Sequence, residues 1–392
     1  MIKTVEAGQP AKATDSVVPP VVLTGQVSWD TVSPIAHIRQ EFGAETLSFL
    51  ALFVSPKADF ATIVAEAETL FPDTNVAACT TAGEIGAGGY DDGQIIALGF
   101  PSSGFATTSL MVEDINDLAP IPLIDRIAME RVKLQERHPT MTSGFAFLLV
   151  DGLSRAEDGL TATISPALRD MPMFGGSAGD GTDFEHTSVA LNGKVAQNAA
   201  ILTLVRSRYR TQVFSLDHLV PSDHQMVVTG ADPDRRIVKT INAEPAAREY
   251  ARIVGRDPEQ LDRLTFASHP VVVRIGGAHH VRAIQQVNSA GELVFFSAID
   301  EGMVLTVAAP QNMVEHLRNK MIGLSANKKP SVILGCDCIL RRIEAEQRQI
   351  THALSDVMSS YNVTGFSTYG EQIGALHVNH TMTGVAIYDE ED

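Results

Sequence analysis

Apolar positions along the chain follow two rhythms. Short continuous runs of strand length recur at SFLALFVS (48–55), NVAACTT (75–81), GQIIALGFP (93–101), FATTSLMV (105–112) and GFAFLLVDG (144–152). Between them, ADFATIVAEAETLF (58–71) and PLIDRIAMERVKLQERH (122–138) place apolar residues at helical spacing, and a further helix is expected from about Arg155 to Arg169. Strands that read as unbroken apolar runs belong to sheets covered on both faces. Their alternation with helices predicts an α/β core.

Beyond Met171 the pattern turns to antiparallel ribbon. Asn192-Gly193 stands between two apolar runs, TSVAL and KVAQNAAILTLV, which is a strong short-range hairpin signal. A helix is expected from near Ala243 to Gly255, a hairpin around Asn288–Gly291, and a helix over QNMVEHLRNKMIGLS. A strand at SVILGCDCIL, one helix over 341–360 and two closing strands complete the chain. The expectation is a mixed α/β (α+β) fold in two modules. Residues 1–39 form a tail and lead-in. Residues 40–241 form an alternating strand/helix sheet with antiparallel ribbon, and residues 242–392 a mixed α/β sheet module. No internal repeat is apparent at this level.

Charge narrows the function classes. Thirty Lys+Arg against 47 Asp+Glu give a formal net charge of −17, and no basic run exceeds a doublet. Phosphate backbones and anionic lipid surfaces select the opposite sign, so nucleic acid and membrane are not expected partners. Three cysteines, Cys79, Cys336 and Cys338, cannot all pair. A reducing compartment fits that count, and with no apolar segment of signal-peptide or membrane-span length a cytoplasmic location is expected.

Several motifs carry candidate chemistry. Gly175-Gly176-Ser177-Ala178-Gly179 matches G-x-S-x-G, in which a strand before the serine and a helix after it build an oxyanion hole. The residues that follow, DGTDFEHTS, do not begin a helix, so a glycine-rich turn is the expected reading over a hydrolase using Ser177 with Asp183, Asp217 or His218. The loop Gly83-Glu84-Ile85-Gly86-Ala87-Gly88-Gly89 lacks the Lys-Ser/Thr of a phosphate cradle and precedes a strand. It is expected at a sheet edge, where it could cover a ligand. Cys336-Asp337-Cys338 would put both sulfurs on one face of a strand, as two small buried side chains rather than a zinc site. His279 and His280 face opposite sides of their strand. His269 stands before Pro270, which holds it extended at the start of an apolar strand, where a lone imidazole could ligate haem iron.

Taken in order, CTTAGEI (79–85), GYDDGQIIALGF (89–100), FGGSAGDG (174–181), HPVVVRIGG (269–277), AIDEGMVLTV (298–307) and GFSTYGEQIGALHVNHTMTGVAIY (365–388) resemble FIST-domain proteins. That resemblance implies a small-ligand sensory protein without catalytic residues. It also includes the NosP type, haem-containing nitric-oxide sensors that regulate a partner histidine kinase. On that type, the ligand to haem b falls on His269, with His377 second. The run Ala278-His279-His280 departs from the aromatic residues expected there. The alternative is a haem-free sensor of a polar metabolite such as an amino acid. Its pocket would be lined by Gly83, Glu84, Gly175, Gly176, Ser177, Gly179, Arg274, Tyr369 and Glu371, with Arg274 pairing a carboxylate and Glu371 an amine.

Overall fold

A computed structural model describes residues 20–275 and 277–391. The expected N-terminal tail through residue 19, and Gly276 of the Arg-Ile-Gly-Gly run, lie outside the described residues. The fold is mixed α/β, as the periodicity predicts, and it contains an internal repeat that the linear pattern hides.

Three six-stranded sheets share one topology. In each, the middle is a parallel pair joined by a helical crossover: Leu47–Val54 with Asn75–Thr80, Ser143–Val150 with Met173–Ser177, and Val332–Cys338 with Val363–Thr368. One flank of each pair carries two antiparallel strands from the same repeat, Gln94–Pro101 and Leu23–Ser28 in the first. The other flank carries a hairpin donated by a different repeat. Hairpin Glu84–Gly86/Gly89–Asp91 of the first repeat adds to the third sheet, Glu371–Ile373/Leu376–Val378 of the third to the second, and Val189–Leu191/Lys194–Ala196 of the second to the first. The exchange closes a ring.

The three sheets face inward as a prism around one core. Phe49, Ala51 and Phe53 meet Phe145, Phe147 and Phe174, together with Leu334, Cys336 and Phe366. The alternate residues of the same strands point outward and pack on each repeat's own helices. Leu50 and Leu52 meet Ile38 and Ile63, Leu148 meets Ile127 and Ile164, and Ile333 meets Leu317 and Leu354. Both faces are therefore buried, which is why the strands read as unbroken apolar runs. Helix Phe60–Leu70 starts where Asp59 accepts from the Thr62 amide, and the Asn192-Gly193 turn has the two positive φ values that its hairpin requires, 47° and 79°.

A fourth, eight-stranded sheet is inserted into the third repeat between strands Tyr209–Leu216 and Val332–Cys338. It spans Leu219–Pro310 and has its own core of Tyr250, Phe266, Val271, Phe295 and Leu305. Asn242 and Ala243 form a turn inside it, and its helix begins at Ala246, after Pro245, rather than near Ala243. The single helix expected over 341–360 is two, Ile339–Gln347 and Thr351–Ser360, broken where Gln349 takes a φ of 56°. Ahead of the hairpin at Asn288–Gly291 stand three short strands, Val271–Ile275, Ala278–Arg282 and Ile284–Val287.

Candidate functional site

The third strand of every repeat ends in one tetrapeptide pattern, hydroxyl-x-Gly-acid. It reads Thr81-Ala82-Gly83-Glu84, Ser177-Ala178-Gly179-Asp180 and Thr368-Tyr369-Gly370-Glu371. The three copies meet at the carboxyl ends of the parallel pairs, the end where open α/β sheets bind ligands. Backbone hydrogen bonds run round them: Ala82 N–H to Ser367 O at 2.9 Å, Tyr369 N–H to Ser177 O at 3.2 Å, and Gly179 N–H to Thr80 O at 3.1 Å. The glycines allow this contact. A Cβ on Gly179 would lie 2.7 Å from that of Ala82, and one on Gly176 would lie 3.0 Å from Phe366.

Each acid is held by its own hydroxyl or its neighbours. Thr81 donates to Glu84, and Thr368 donates to Glu371. The second oxygens accept from the amides of Gln94 at 2.9 Å and Thr381 at 3.3 Å. Asp180 instead accepts three amides, from Phe184, Glu185 and His186, and the Tyr369 hydroxyl. Burial pushes Glu84 up to about 7 against those hydrogen bonds, and pushes Glu371 well above the carboxylate range. Glu371 is thus an enclosed acid whose two oxygens already accept from Thr368 and Thr381.

Of the residues named from sequence, Gly83, Glu84, Gly175, Gly176, Ser177, Gly179, Tyr369 and Glu371 come together here. Arg274 does not. It is exposed on the inserted strand Val271–Ile275, paired in register with His279. Ser177 is fully buried, and its hydroxyl lies 3.4 Å from Glu157 and 3.0 Å from Gln372. The amides after it are spent on Val150 O and Thr80 O, and the next element is a hairpin strand, so no oxyanion hole is available. Asp183 lines a different cavity and His218 belongs to another cluster.

The cavity with the most ligand-like walls lies beside the second motif, between the prism and the inserted sheet. It holds about 240 Å³ and is bounded by Gly152, Arg155, Phe184 and Tyr369 on one side and by Arg235, Arg236 and Phe296 on the other. Phe184 stacks on Tyr369 with centroids 4.2 Å apart and lies 6.0 Å from Phe296. Arg155, Phe184 and Arg236 all hold left-handed backbone, with φ of 60°, 57° and 57°. Strain of this kind in bulky residues persists only where surroundings fix it, and it clusters at ligand clamps. Arg236 is buried and tied to Glu157 at 2.6 Å and to the carbonyl of Phe296. Arg155 and Arg235 are exposed and, among the described residues, have no ion-pair partner. A more voluminous concavity of about 770 Å³ between helices Pro34–Phe42 and Phe60–Leu70 is open, and none of the motif residues lines it.

The third repeat buries a charged network at the same end. His218, Glu344 and His380 bring ligand-type atoms within 4.8 Å of one another. Glu344 Oε2 lies 3.0 Å from His218 Nε2 and 2.7 Å from His380 Nε2. Arg341 donates to His218 Nδ1 at 3.0 Å, which places the imidazole proton on Nε2, the atom a metal would need. The cluster is therefore a hydrogen-bond network and not a metal centre.

Burial lowers His218 to about 4, opposed by Glu344 and helped by Arg341. A histidine neutral in the fold destabilises it once the unfolded chain protonates. Stability is full above about 6.5 and declines as the pH falls towards about 4, by on the order of 3 kcal/mol. Glu84 has the opposite sign, because its protonated form is the folded one. Its contribution is present below about 4.5 and fades as pH rises to about 7. Urea unfolding between pH 4 and 8 should show the acid limb flattened by His218→Gln and the neutral limb flattened by Glu84→Gln.

The fold is mixed α/β, with clefts at the carboxyl ends of its parallel strands, where α/β proteins commonly bind ligands. Comparison with known families matches residues 48–244 to the FIST N domain and residues 246–374 to the FIST C domain. The chain belongs to the FIST-domain family, which is associated with small-ligand sensing in signal transduction. No curated protein matches it significantly. Among the described residues, no helix is long and apolar enough to cross a membrane.

The haem implied by the NosP resemblance was set against the two histidines. His377 is fully buried, with Nδ1 3.4 Å from Gln372 Nε2, and its ring is packed over Gly370. His269 caps helix Arg263–Ser268, with Nδ1 3.1 Å from Thr265 O and its carbonyl accepting from Tyr250. That leaves Nε2 for a ligand, but the apolar neighbourhood is filled by Tyr250, Phe266 and Val271. Neither histidine lines a cavity described above. As arranged, the residues do not fit a porphyrin.

Proposed function

We propose that this protein senses a small, negatively charged polar metabolite, an amino acid or related acid. The ligand is seated in the 240 Å³ cavity between the prism and the inserted sheet. The observation that carries the reading is the wall itself: three strained residues, a stacked aromatic pair and two guanidinium groups without carboxylate partners face one small space. The volume lies below the roughly 300–1,000 Å³ of drug-sized sites and suits a small metabolite. The contacts of Ser177, with no imidazole in hydrogen-bond reach among the described residues, support binding over catalysis.

Binding alone does not signal. The cavity's two walls belong to different bodies of the fold, so a ligand that touches both favours one relative position of the inserted sheet. Output then passes through a partner chain, for which the family resemblance implies a histidine kinase. The reading is tested by thermal shift with a panel of amino acids and small carboxylic acids. A ligand that binds the native state raises the melting temperature. At least one should do so in the unaltered protein, and Phe184→Ala and Arg235→Ala should each weaken its effect at least about tenfold, the loss of roughly 1.4 kcal/mol. No stabilising compound, or one whose effect both variants keep, would overturn it.

Haem-based nitric-oxide sensing is the second reading, favoured by the free Nε2 of His269. It requires the inserted core to open. Reconstitution with haem followed by absorption spectroscopy decides it: a stoichiometric Soret band lost in His269→Ala would establish haem, and no uptake would remove it.

A further inference from the structure

A further cavity, of about 310 Å³, lies at the opposite end of the second sheet from the tetrapeptide motifs. Ser143 and Gly144, where strand Ser143–Val150 begins, and Met171 and Pro172, just before Met173–Ser177, form part of its wall. These are the amino ends of the parallel pair, and a strand of eight residues, on the order of 25 Å, separates them from the motifs. Alternate positions of strand Ala199–Ser207 run Ala200, Leu202, Leu204 and then Arg206, and the first three pack on the helices. Arg206 continues that row where the apolar layer ends. Its partner across the sheet is Gly144, and such partners share a face. With no side chain on Gly144, the place beside Arg206 stays open. A Cβ at Gly144 would collide with the carbonyl of Val205, so backbone geometry keeps that gap.

Two guanidinium groups line this space. Arg131, on helix Pro120–Arg137, is 9% exposed, and its Nε donates to the carbonyl of Ala167 at 3.1 Å, in the last turn of Glu157–Leu168. A cation suits a helix carboxyl end, but that contact uses only Nε and leaves both Nη groups without a hydrogen bond to the described residues. Arg206 has its Nε enclosed and without a partner. Neither arginine has a carboxylate within ion-pair distance among the described residues. Asp170 is the one acid in the wall; it is exposed, and it acts on Arg206 from beyond that distance. Burial still holds Arg206 below the usual guanidinium range, with Asp170 opposing it. Two cations against one acid leave this cavity positive in a chain of net charge −17. The hydroxyls of Ser143 and Thr211 stand 3.0 Å apart in the same wall, and Ser143 Oγ also accepts from the Thr211 amide at 3.0 Å. Only one hydroxyl donates to the other, so one O–H of the pair remains.

We infer that this cavity binds the phosphate group of a small soluble molecule, held by Arg131 and Arg206 together with a hydroxyl of Ser143 or Thr211. Guanidinium forks pair with phosphate oxygens two at a time. The free N–H groups of the two arginines and the spare hydroxyl outnumber the roughly four acceptor positions of a carboxylate. A phosphate ester brings three strong acceptor oxygens and a charge of about −1.5 to −2. At about 310 Å³ the cavity lies at the small end of ligand sites, with room for an ester rather than a bare ion. The inference is independent of the metabolite reading, because the two cavities share no residue.

The test is thermal shift on the full chain at neutral pH and constant ionic strength, with inorganic phosphate and glycerol 3-phosphate as probes and chloride and acetate as controls. Both phosphates should raise the melting temperature saturably, glycerol 3-phosphate at the lower concentration, and neither control should. Arg206→Gln and Arg131→Gln should each weaken the phosphate response about tenfold or more. Circular dichroism without ligand checks that they fold, and if Arg131→Gln, which loses the contact with Ala167, does not, Arg206→Gln decides. Arg235→Ala, in the wall of the other cavity, should keep the phosphate response. A phosphate response unchanged in Arg206→Gln, or lost in Arg235→Ala alone, would overturn the site. Equal stabilisation by chloride would reduce it to charge screening, and equal stabilisation by acetate would overturn phosphate as its ligand. Sedimentation with phosphatidylcholine vesicles containing phosphatidic acid, lost in Arg206→Gln, would assign the site to a lipid head group and overturn a soluble ligand. Phosphate binding without any stabilising amino acid or carboxylic acid would support this site and overturn the metabolite reading, and the opposite pair of results would do the reverse.

Discussion

Asp337→Leu alone should lower the unfolding free energy by about 3–5 kcal/mol, the usual cost of leaving one member of a buried ion pair unpaired. Asp337 and Arg341 are both wholly buried, 2.7 Å apart through Nε. Tyr90, from the first repeat's hairpin, donates to the other carboxylate oxygen, and Arg341 also reaches His218. Removing the carboxylate leaves the guanidinium charged, because its pKa is far too high for it to deprotonate. The double variant Asp337→Leu/Arg341→Met should recover most of the loss, since a packed apolar pair often matches a buried ion pair. Urea unfolding of the two single variants and the double closes the cycle. A single-variant cost under about 1 kcal/mol would mean that water reaches this end of the prism.

Phe366→Ala should cost about 3–5 kcal/mol. Its ring stacks on Phe53 with centroids 4.4 Å apart and lies against Gly176, so it joins the third repeat to both others. Leu354 is equally buried but packs within one repeat's outer layer. Both truncations destabilise, and the difference should lie in how. Phe366→Ala loosens the shared core, so near- and far-ultraviolet circular dichroism should move together in a single shifted transition. Two separated transitions in the unaltered protein would contradict a common core.

Much of the fold was legible because each strand's covering is written in its own residues. SFLALFVS is apolar throughout because Phe49, Ala51 and Phe53 face the prism core while Leu50 and Leu52 face helices. The threefold repeat was not legible in the same way. Residues 219–310 interrupt the third copy, and the donated hairpins pair with strands far along the chain, which local periodicity does not report. A signal did exist: hydroxyl-x-Gly-acid follows the parallel pair of each repeat at nearly equal spacing once the insertion, which holds a fourth copy at Ser289-Ala290-Gly291-Glu292, is set aside.

The site residues divide the same way. Ser177 and Gly179 were singled out as a nucleophile motif or a turn, and their glycine neighbours proved to be points of close approach between repeats. Arg274 was chosen for its charge beside an apolar run, but it lies with Ile275 at the exposed end of its strand, while Arg282 at the end of the next strand is buried. Arg236 and Phe184 carried no local motif. Their roles arise from contacts between the inserted sheet and the prism, which sequence spacing does not encode.

The proposed ligand sits between those two bodies. Hydrogen exchange measured with and without a stabilising amino acid or small acid tests that placement most directly. Added protection is expected on both walls together, at 152–155 and 180–186 of the prism and at 235–236 and 294–296 of the inserted sheet. Protection confined to the open concavity between helices Pro34–Phe42 and Phe60–Leu70, or to the segment around His269, would contradict it.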